Sequence, residues 1–317
     1  MKIGIKKFAA AILTAGAALL SACGGNNHPP LDIVSLAKSS ANLSILSEAI
    51  ESAGLAPVLK SGGPYTVFAP TNDAFVALLK ELNVSKDALF ANKELLTSVL
   101  TYHVLAGKTV SSAVPLGKPI TTLQKGFFKA ETSGISLQIT DGRNRTSTVE
   151  TANVEAENGV IHVINKVLLP ADKTVVATAL ALSTATQPEF TLLVEAVIAA
   201  ELVDTLNSNG PFTVFAPTDA AFGALLTELN VTKAALFANK TLLTKVLTYH
   251  VVPGLVLKAD VPVNQAVKTV QGETLTVDGK LEVNDQRGRK AKIVATDVLA
   301  SNGVIHVIDK VILPAAP

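Results

Sequence analysis

The chain contains one long passage twice. Residues 63–105, GPYTVFAPTNDAFVALLKELNVSKDALFANKELLTSVLTYHVL, return at 210–252 as GPFTVFAPTDAAFGALLTELNVTKAALFANKTLLTKVLTYHVV, with 33 of 43 positions identical at an offset of 147. A second block, NGVIHVINKVLLP at 158–170, returns as NGVIHVIDKVILP at 302–314, at an offset of 144. A two-copy repeat of this length is a duplicated domain and not a solenoid of short units. Each copy is long enough to bury its own core. Copy one runs from Leu31 to Pro170 and copy two from Thr174 to Pro314. Ala171 to Lys173 is a very short junction, so the two domains are expected to touch.

Within a copy, helical patterns come first and strand patterns follow, the mark of an α+β domain. Leu43, Leu46, Ala49 and Ile50 recur at helical spacing, and Gly54 closes that helix. Tyr65 to Ala69 reads as a short strand after the Gly62-Gly63-Pro64 turn. Thr71 then has the character of an N-cap, with Asp73 in the first turn, where the helix dipole favours an anion. Lys86–Ala91 and Lys93–Leu100 read as two more helices, and Tyr102 to Leu105 as extended chain. From Val110 to Leu169 short strands alternate with Gly, Asp and Asn turns. Asn158-Gly159 signals a hairpin, and Val160 to Ile164 is apolar on both faces, as a central strand is.

The first 22 residues read as an address. Lys2, Lys6 and Lys7 precede an apolar run, Phe8 to Leu20, that is short for a membrane span. Leu20-Ser21-Ala22-Cys23 then resembles the bacterial lipoprotein box, in which the cysteine is acylated and becomes the first mature residue. Residues 23–30 form a lipid-anchored tether; the stretch 24–30 reaches about 25 Å at full extension. This implies a membrane partner through the lipid on Cys23. Gly24 follows the cysteine where an Asp usually marks inner-membrane retention, which implies the outer membrane in a Gram-negative host. Removing the leader takes three lysines from 27 basic residues and leaves 24 against 26 acidic ones. Near-balanced charge excludes an ordinary nucleic-acid binder. A 48% apolar composition with 17% charged residues excludes a disordered chain. With Cys23 as the one cysteine, disulfides and a cysteine-built zinc site are excluded too.

TVFAPTNDAF, LTYHVL and NGVIHVINKVLLP, and their second copies TVFAPTDAAF, LTYHVV and NGVIHVIDKVILP, resemble the three signatures of the fasciclin domain. The resemblance covers nearly all of the chain after the tether. It implies two tandem domains, each a seven-stranded β-wedge or sandwich with flanking helices, and a family made up mainly of extracellular and cell-surface adhesion modules. Asn165 departs from the more usual Asp, which copy two keeps as Asp309.

The candidate partner-binding residues are Tyr102 and His103, repeated as Tyr249 and His250. If this pair lies in a strand, its members point to opposite faces, and one is exposed while the other is buried. In animal fasciclin domains the corresponding region is implicated in integrin binding, which carries over as a surface and not as a ligand. The alternative is a buried His bonded to a loop with Tyr filling the core. His162 and His306 lie inside apolar strands and read as satisfied core residues. No metal-binding spacing, nucleophile elbow or phosphate loop is present, so neither a metal, a cofactor nor an enzyme is expected. Arg287-Gly288-Arg289-Lys290 reads as a solvated hairpin tip or an anion contact. The resulting expectation is a lipid-anchored adhesion or binding protein of the cell envelope, its partner a protein or polysaccharide. Two modules on one chain would gain from avidity. Two rivals are open: a periplasmic binder of a small ligand or polysaccharide, the small-ligand form needing a deep apolar pocket, and a hydrolase, which needs an exposed His103 or His250 beside a Ser or Asp.

Overall fold

The computed structural model describes residues 31–186 and 189–316. The leader, Cys23, His28 and the rest of the tether lie outside the described residues.

Copy one opens with three helices, α1 (Ile33–Ser39), α2 (Ser44–Ser52) and α3 (Ala56–Ser61). Strand β1 (Tyr65–Pro70) leads into α4 (Asn72–Leu82), α5 (Lys86–Ala91) and α6 (Lys93–Tyr102). The strands β2 (Val104–Ala106), β3 (Pro119–Thr121), β4 (Phe127–Ser133), β5 (Ser136–Thr140), β6 (Thr146–Ala156) and β7 (Gly159–Ile164) follow. They form one seven-stranded sheet in the order β2-β1-β7-β6-β5-β4-β3. Copy two repeats the plan with α7 (Val175–Ser183), α8 (Thr191–Ala199), α9 (Val203–Leu206), β8 (Phe212–Pro217), α10 (Asp219–Leu229), α11 (Lys233–Ala238) and α12 (Lys240–Tyr249). Its sheet comprises β9 (Val251–Pro253), β10 (Ala266–Lys268), β11 (Thr274–Val277), β12 (Glu282–Asn284), β13 (Lys290–Ala300) and β14 (Gly303–Ile308) together with β8. The α+β class and the seven strands per domain agree with the sequence expectation.

Local chemistry explains the element boundaries. Asp32 caps α1 by accepting from the Val34 and Ser35 amides, and Thr174 caps α7 through Ala177. The expected cap at Thr71 accepts from the Ala74 amide at 3.2 Å. Helix α4 ends at Asn83, which takes the left-handed conformation at φ 52°. The central strand is β7, as its two apolar faces suggest: it pairs with β6 on one side and runs parallel to β1 on the other.

Strand β6 is the hinge of the sheet. Its pairing with β7 slips twice, between Val149 and Thr151 and between Thr151 and Val154, and Asn153 sits in the irregularity at φ 60°. Bulges bend a strand and raise its twist, which turns a flat sheet into a wedge. Two cores result in each domain. One packs the helices against β1 and β7, with Leu46, Phe75 and Leu96 at its centre. The other lies inside the wedge, where Phe68, Tyr102, Phe128 and Ile139 meet. Among the described residues, no helix is long and apolar enough to cross a membrane.

The expectation that the domains touch is met. Lys129 on β4 reaches Asp297 on β13 at 3.2 Å, with Asp297 4% and Lys129 8% exposed. The Asn144 side chain bonds β13 twice, accepting from the Leu299 amide at 2.7 Å and donating to the Leu299 carbonyl at 3.0 Å. Phe127 packs against the cluster of Leu257, Leu299 and Val304 in copy two. A Cβ at Gly117 would stand 2.9 Å from the Ala259 Cβ, so the glycine there admits the neighbouring domain.

Candidate functional site

The Tyr-His pairs sit where the two cores of each domain meet, and both pairs are interior. Tyr102 is the last residue of α6 and His103 is its C-cap; strand β2 begins only at Val104. The alternating-strand argument therefore does not apply, because the last helical turn extends through Tyr102. Tyr102 and Tyr249 have no exposed surface, and His103 and His250 are 1% and 2% exposed. None of the four presents a side chain to a partner: the expectation of one exposed member per pair is not met, and the alternative of a buried, bonded His with Tyr filling the core is the one found.

Their chemistry is architectural. His103 Nδ1 lies 2.7 Å from the Val99 carbonyl in the last turn of α6, and its Nε2 accepts from the Leu168 amide at 2.8 Å. The proton therefore resides on Nδ1, and the ring clasps α6 to the segment after β7. His250 repeats this with the Val246 carbonyl and the Ile312 amide. Burial is the main cause that pushes the pKa of both rings down to about 4, so both are neutral at physiological pH. The Tyr102 hydroxyl donates to the Phe127 carbonyl at 2.6 Å, and Tyr249 to Thr274 at 2.8 Å. Desolvation holds both phenols above their ordinary range, Tyr249 at about 12.

His162 and His306 are satisfied core residues, as expected. His162 Nδ1 accepts the Asn153 amide freed by the bulge, and its Nε2 donates to the Thr109 carbonyl at 2.9 Å. His306 treats Asp297 and Val256 in the same way. Each imidazole thus supplies the acceptor that the sheet withholds from the bulged residue. The hydrolase rival needs an exposed His103 or His250, and burial removes that premise.

The Arg287–Lys290 stretch is the expected hairpin tip, between β12 and β13, with Arg287 and Lys290 exposed, and its side chains are also engaged by the fold. Arg287 donates to the Pro314 carbonyl at 3.0 Å, Arg289 pairs with Glu228 at 2.9 Å, and Lys290 lies between Asp278 and Glu282. Its counterpart in copy one shows the same logic. Buried Asp141 accepts from the amides of Arg143, Arg145 and Leu169 and from the Arg145 guanidinium, making it the hub of that corner. Sequence reasoning gave Asp141-Gly142-Arg143 no role; the recurrence of Asp-x-Arg-x-Arg in both copies was the available signal.

Two recesses bear on ligand binding. The first lies inside copy two among Val175, Val197, Leu206, Phe215 and Leu247, with a volume of about 40 Å³. Along this recess copy one has Ile33 and Ile50 where copy two has Val175 and Val197, and Ser47 where copy two has the larger Val194. The recess is far smaller than the roughly 300–1,000 Å³ of a ligand pocket, and the deep apolar pocket required of a small-ligand binder is not this one. The second lies outside, along the junction of the domains, with a volume of about 520 Å³. Phe127 and Lys125 of copy one and Asn207, Leu255 and Ser301 of copy two line it. An adjoining recess of about 240 Å³ shares Lys125, Phe127 and Ser301 with it. Sequence reasoning missed this groove because its walls lie in different domains, far apart along the chain.

Comparison with known proteins agrees with this architecture. A family profile described as the fasciclin domain matches residues 41–170 and again 188–314. The protein sll1483 of Synechocystis sp. is 52% identical over 128 residues, which cover 39% of this chain and 67% of that protein. Human periostin is 29% identical over 267 residues, covering 83% of this chain and 29% of periostin, so the chain spans under a third of that relative's length. Among solved structures, a FAS1 domain pair from the insect cell adhesion molecule fasciclin I aligns with a TM-score of 0.43 at 19% identity, covering 86% of this chain and 97% of that one.

Proposed function

The chain belongs to the fasciclin-domain family, and from that premise we propose that it is a non-catalytic binding protein of the cell envelope. It is held to a membrane by acylation of Cys23 and meets a protein or polysaccharide partner through its paired domains. The observation that carries the reading is the fate of the four domain histidines. All are buried and bonded at both ring nitrogens. The residue type best suited to proton transfer at neutral pH is committed to holding the fold, while the junction groove is open. Family membership supports adhesion or binding as the activity. The lipoprotein-like Leu20-Ser21-Ala22-Cys23 supports the anchor, and Gly24 supports the outer membrane in a Gram-negative host.

Two measurements test this. The soluble fragment 24–317 is presented to immobilised envelope polysaccharides, matrix proteins and whole cells. Saturable retention on at least one is expected, and retention on none would overturn the binding reading. Mass spectrometry of the mature N-terminus should find Cys23 acylated, and Cys23→Ser should move the protein from the membrane to the soluble fraction. An unmodified Cys23 in the native protein would remove the anchor.

A further inference from the structure

The junction groove belongs to the pair and to neither domain by itself. Phe127 forms its floor from the copy-one side. The Phe127 carbonyl is held by the Tyr102 hydroxyl at 2.6 Å, and its ring is half-buried against Leu299 and Val304 of copy two. Leu255 extends the apolar floor from copy two. The Lys129–Asp297 ion pair and the two Asn144–Leu299 bonds fix the domains on either side, so the groove is formed before any ligand arrives.

Its polar groups are mostly uncharged. Lys125 is the one charged residue lining it among those described, and no Asp or Glu does. A tight turn presents Lys125: its amide donates to the Thr122 carbonyl at 2.9 Å, its φ is 74°, and Gly126 is tied to the Gln124 side chain at 2.9 Å. Across the groove, the Asn207 carbonyl oxygen accepts from the Thr174 hydroxyl at 2.6 Å. That bond orients the amide while its NH2 makes no hydrogen bond among the described residues. An aromatic floor, amide and hydroxyl rims and a single cation match a ligand with apolar ring faces, many hydroxyls and sparse negative charge. A polyanion such as a nucleic acid would need many cations here.

We propose that this groove binds a carboxylate-bearing saccharide chain. Phe127 lies under the apolar face of one sugar ring, Lys125 meets the carboxylate, and the Asn207 amide donates to a hydroxyl. The proposal deepens the reading of the chain as a binding protein and rests on it.

The test titrates the soluble fragment 24–317 by calorimetry with a xylose hexamer carrying one glucuronic acid and with the same oligosaccharide methyl-esterified. The acid form is expected to bind about three- to tenfold more tightly than the ester, the size of one charge-assisted contact at a partly exposed site. Lys125→Gln should bring the acid form down to the level of the ester and leave the ester unchanged. Asn207→Ala should weaken both. Lys93→Gln, on exposed α6 surface, should change neither. Equal binding of acid and ester, no binding of either, or equal loss from Lys93→Gln and Lys125→Gln would each overturn the site. Retention of the chain on cells or matrix without binding of the acidic oligosaccharide would remove the saccharide site and leave the binding function standing.

Discussion

At the scale of residues, the family signature is a set of internal clasps. Because His103 and His250 are neutral and buried, their folded-state pKa of about 4 lies below the ordinary 6.5. Above pH 6.5 neither the folded nor the unfolded state protonates these rings, and their contribution to folding is complete. As the pH falls from 6.5 towards 4, the unfolded chain takes up protons that the folded chain refuses, and stability declines. Each ring accounts for up to about 3 kcal/mol of that decline. His162 and His306, also lowered chiefly by burial, add to it in the same direction. Denaturant midpoints measured from pH 7.5 to 4 should therefore fall steadily below 6.5; a flat profile would contradict the burial. Tyr102→Phe leaves the Phe127 carbonyl without its hydroxyl donor and should cost about 1–2 kcal/mol in chemical unfolding.

At the scale of elements, the two copies act as controls for each other. The caps Thr71 and Thr218 both accept the amide three residues on, at 3.2 Å and 3.1 Å. Thr71→Ala and Thr218→Ala should each cost about 1 kcal/mol, read from thermal unfolding. Asn158 and Asn302, which the sequence marks as hairpin residues, do more than turn the chain. The Asn158 carbonyl oxygen accepts from the first amide of α1, and its NH2 donates to Leu59 at the end of α3, so one side chain gathers both helices onto β7. Where the copies differ, the difference is informative. Val197→Ile restores the copy-one side chain beside the 40 Å³ recess and should raise stability by about 0.5–1.5 kcal/mol. A loss of stability would mean that the helices of copy two have already closed over the gap.

At the scale of the whole molecule, divergence between the copies has made one junction and two ends. Lys129 and Asn144, which form the junction, are Thr276 and Gly288 at the corresponding places of copy two. Asp297 and Leu299 of copy two are Asn153 and Glu155 in copy one, and Glu155 there pairs with Lys108, at the position of Leu255. The outer face of copy one thus carries an exposed ion pair where copy two carries apolar side chains against its neighbour, which prevents the same contact from repeating end to end. Lys129→Thr leaves the buried Asp297 carboxylate without its cation and should cost about 2–4 kcal/mol, whereas Asp297→Asn leaves Lys129 paired with Glu131 at 3.2 Å and should cost less. The double variant, carrying the residues of the opposite copy, should recover much of that loss. A double-mutant cycle on unfolding free energy measures the coupling, and simple additivity would show that the pair does not hold the domains.

The duplication, the fold class, the order of helices before strands and the cap at Thr71 were legible in the sequence, because each rests on local spacing or on self-comparison. The fate of Tyr102, His103, Tyr249 and His250 was legible only as one of two alternatives. A helix that runs two residues further than its apolar pattern suggests changes the rule for side-chain direction, and only the packed structure shows that both members of each pair face inward. The junction and its groove were hidden. Lys129 and Asp297, or Lys125 and Asn207, have no spacing in common; what joins them is the placement of one domain against the other, which the bulge at Asp297 and the cluster around Phe127 decide in three dimensions.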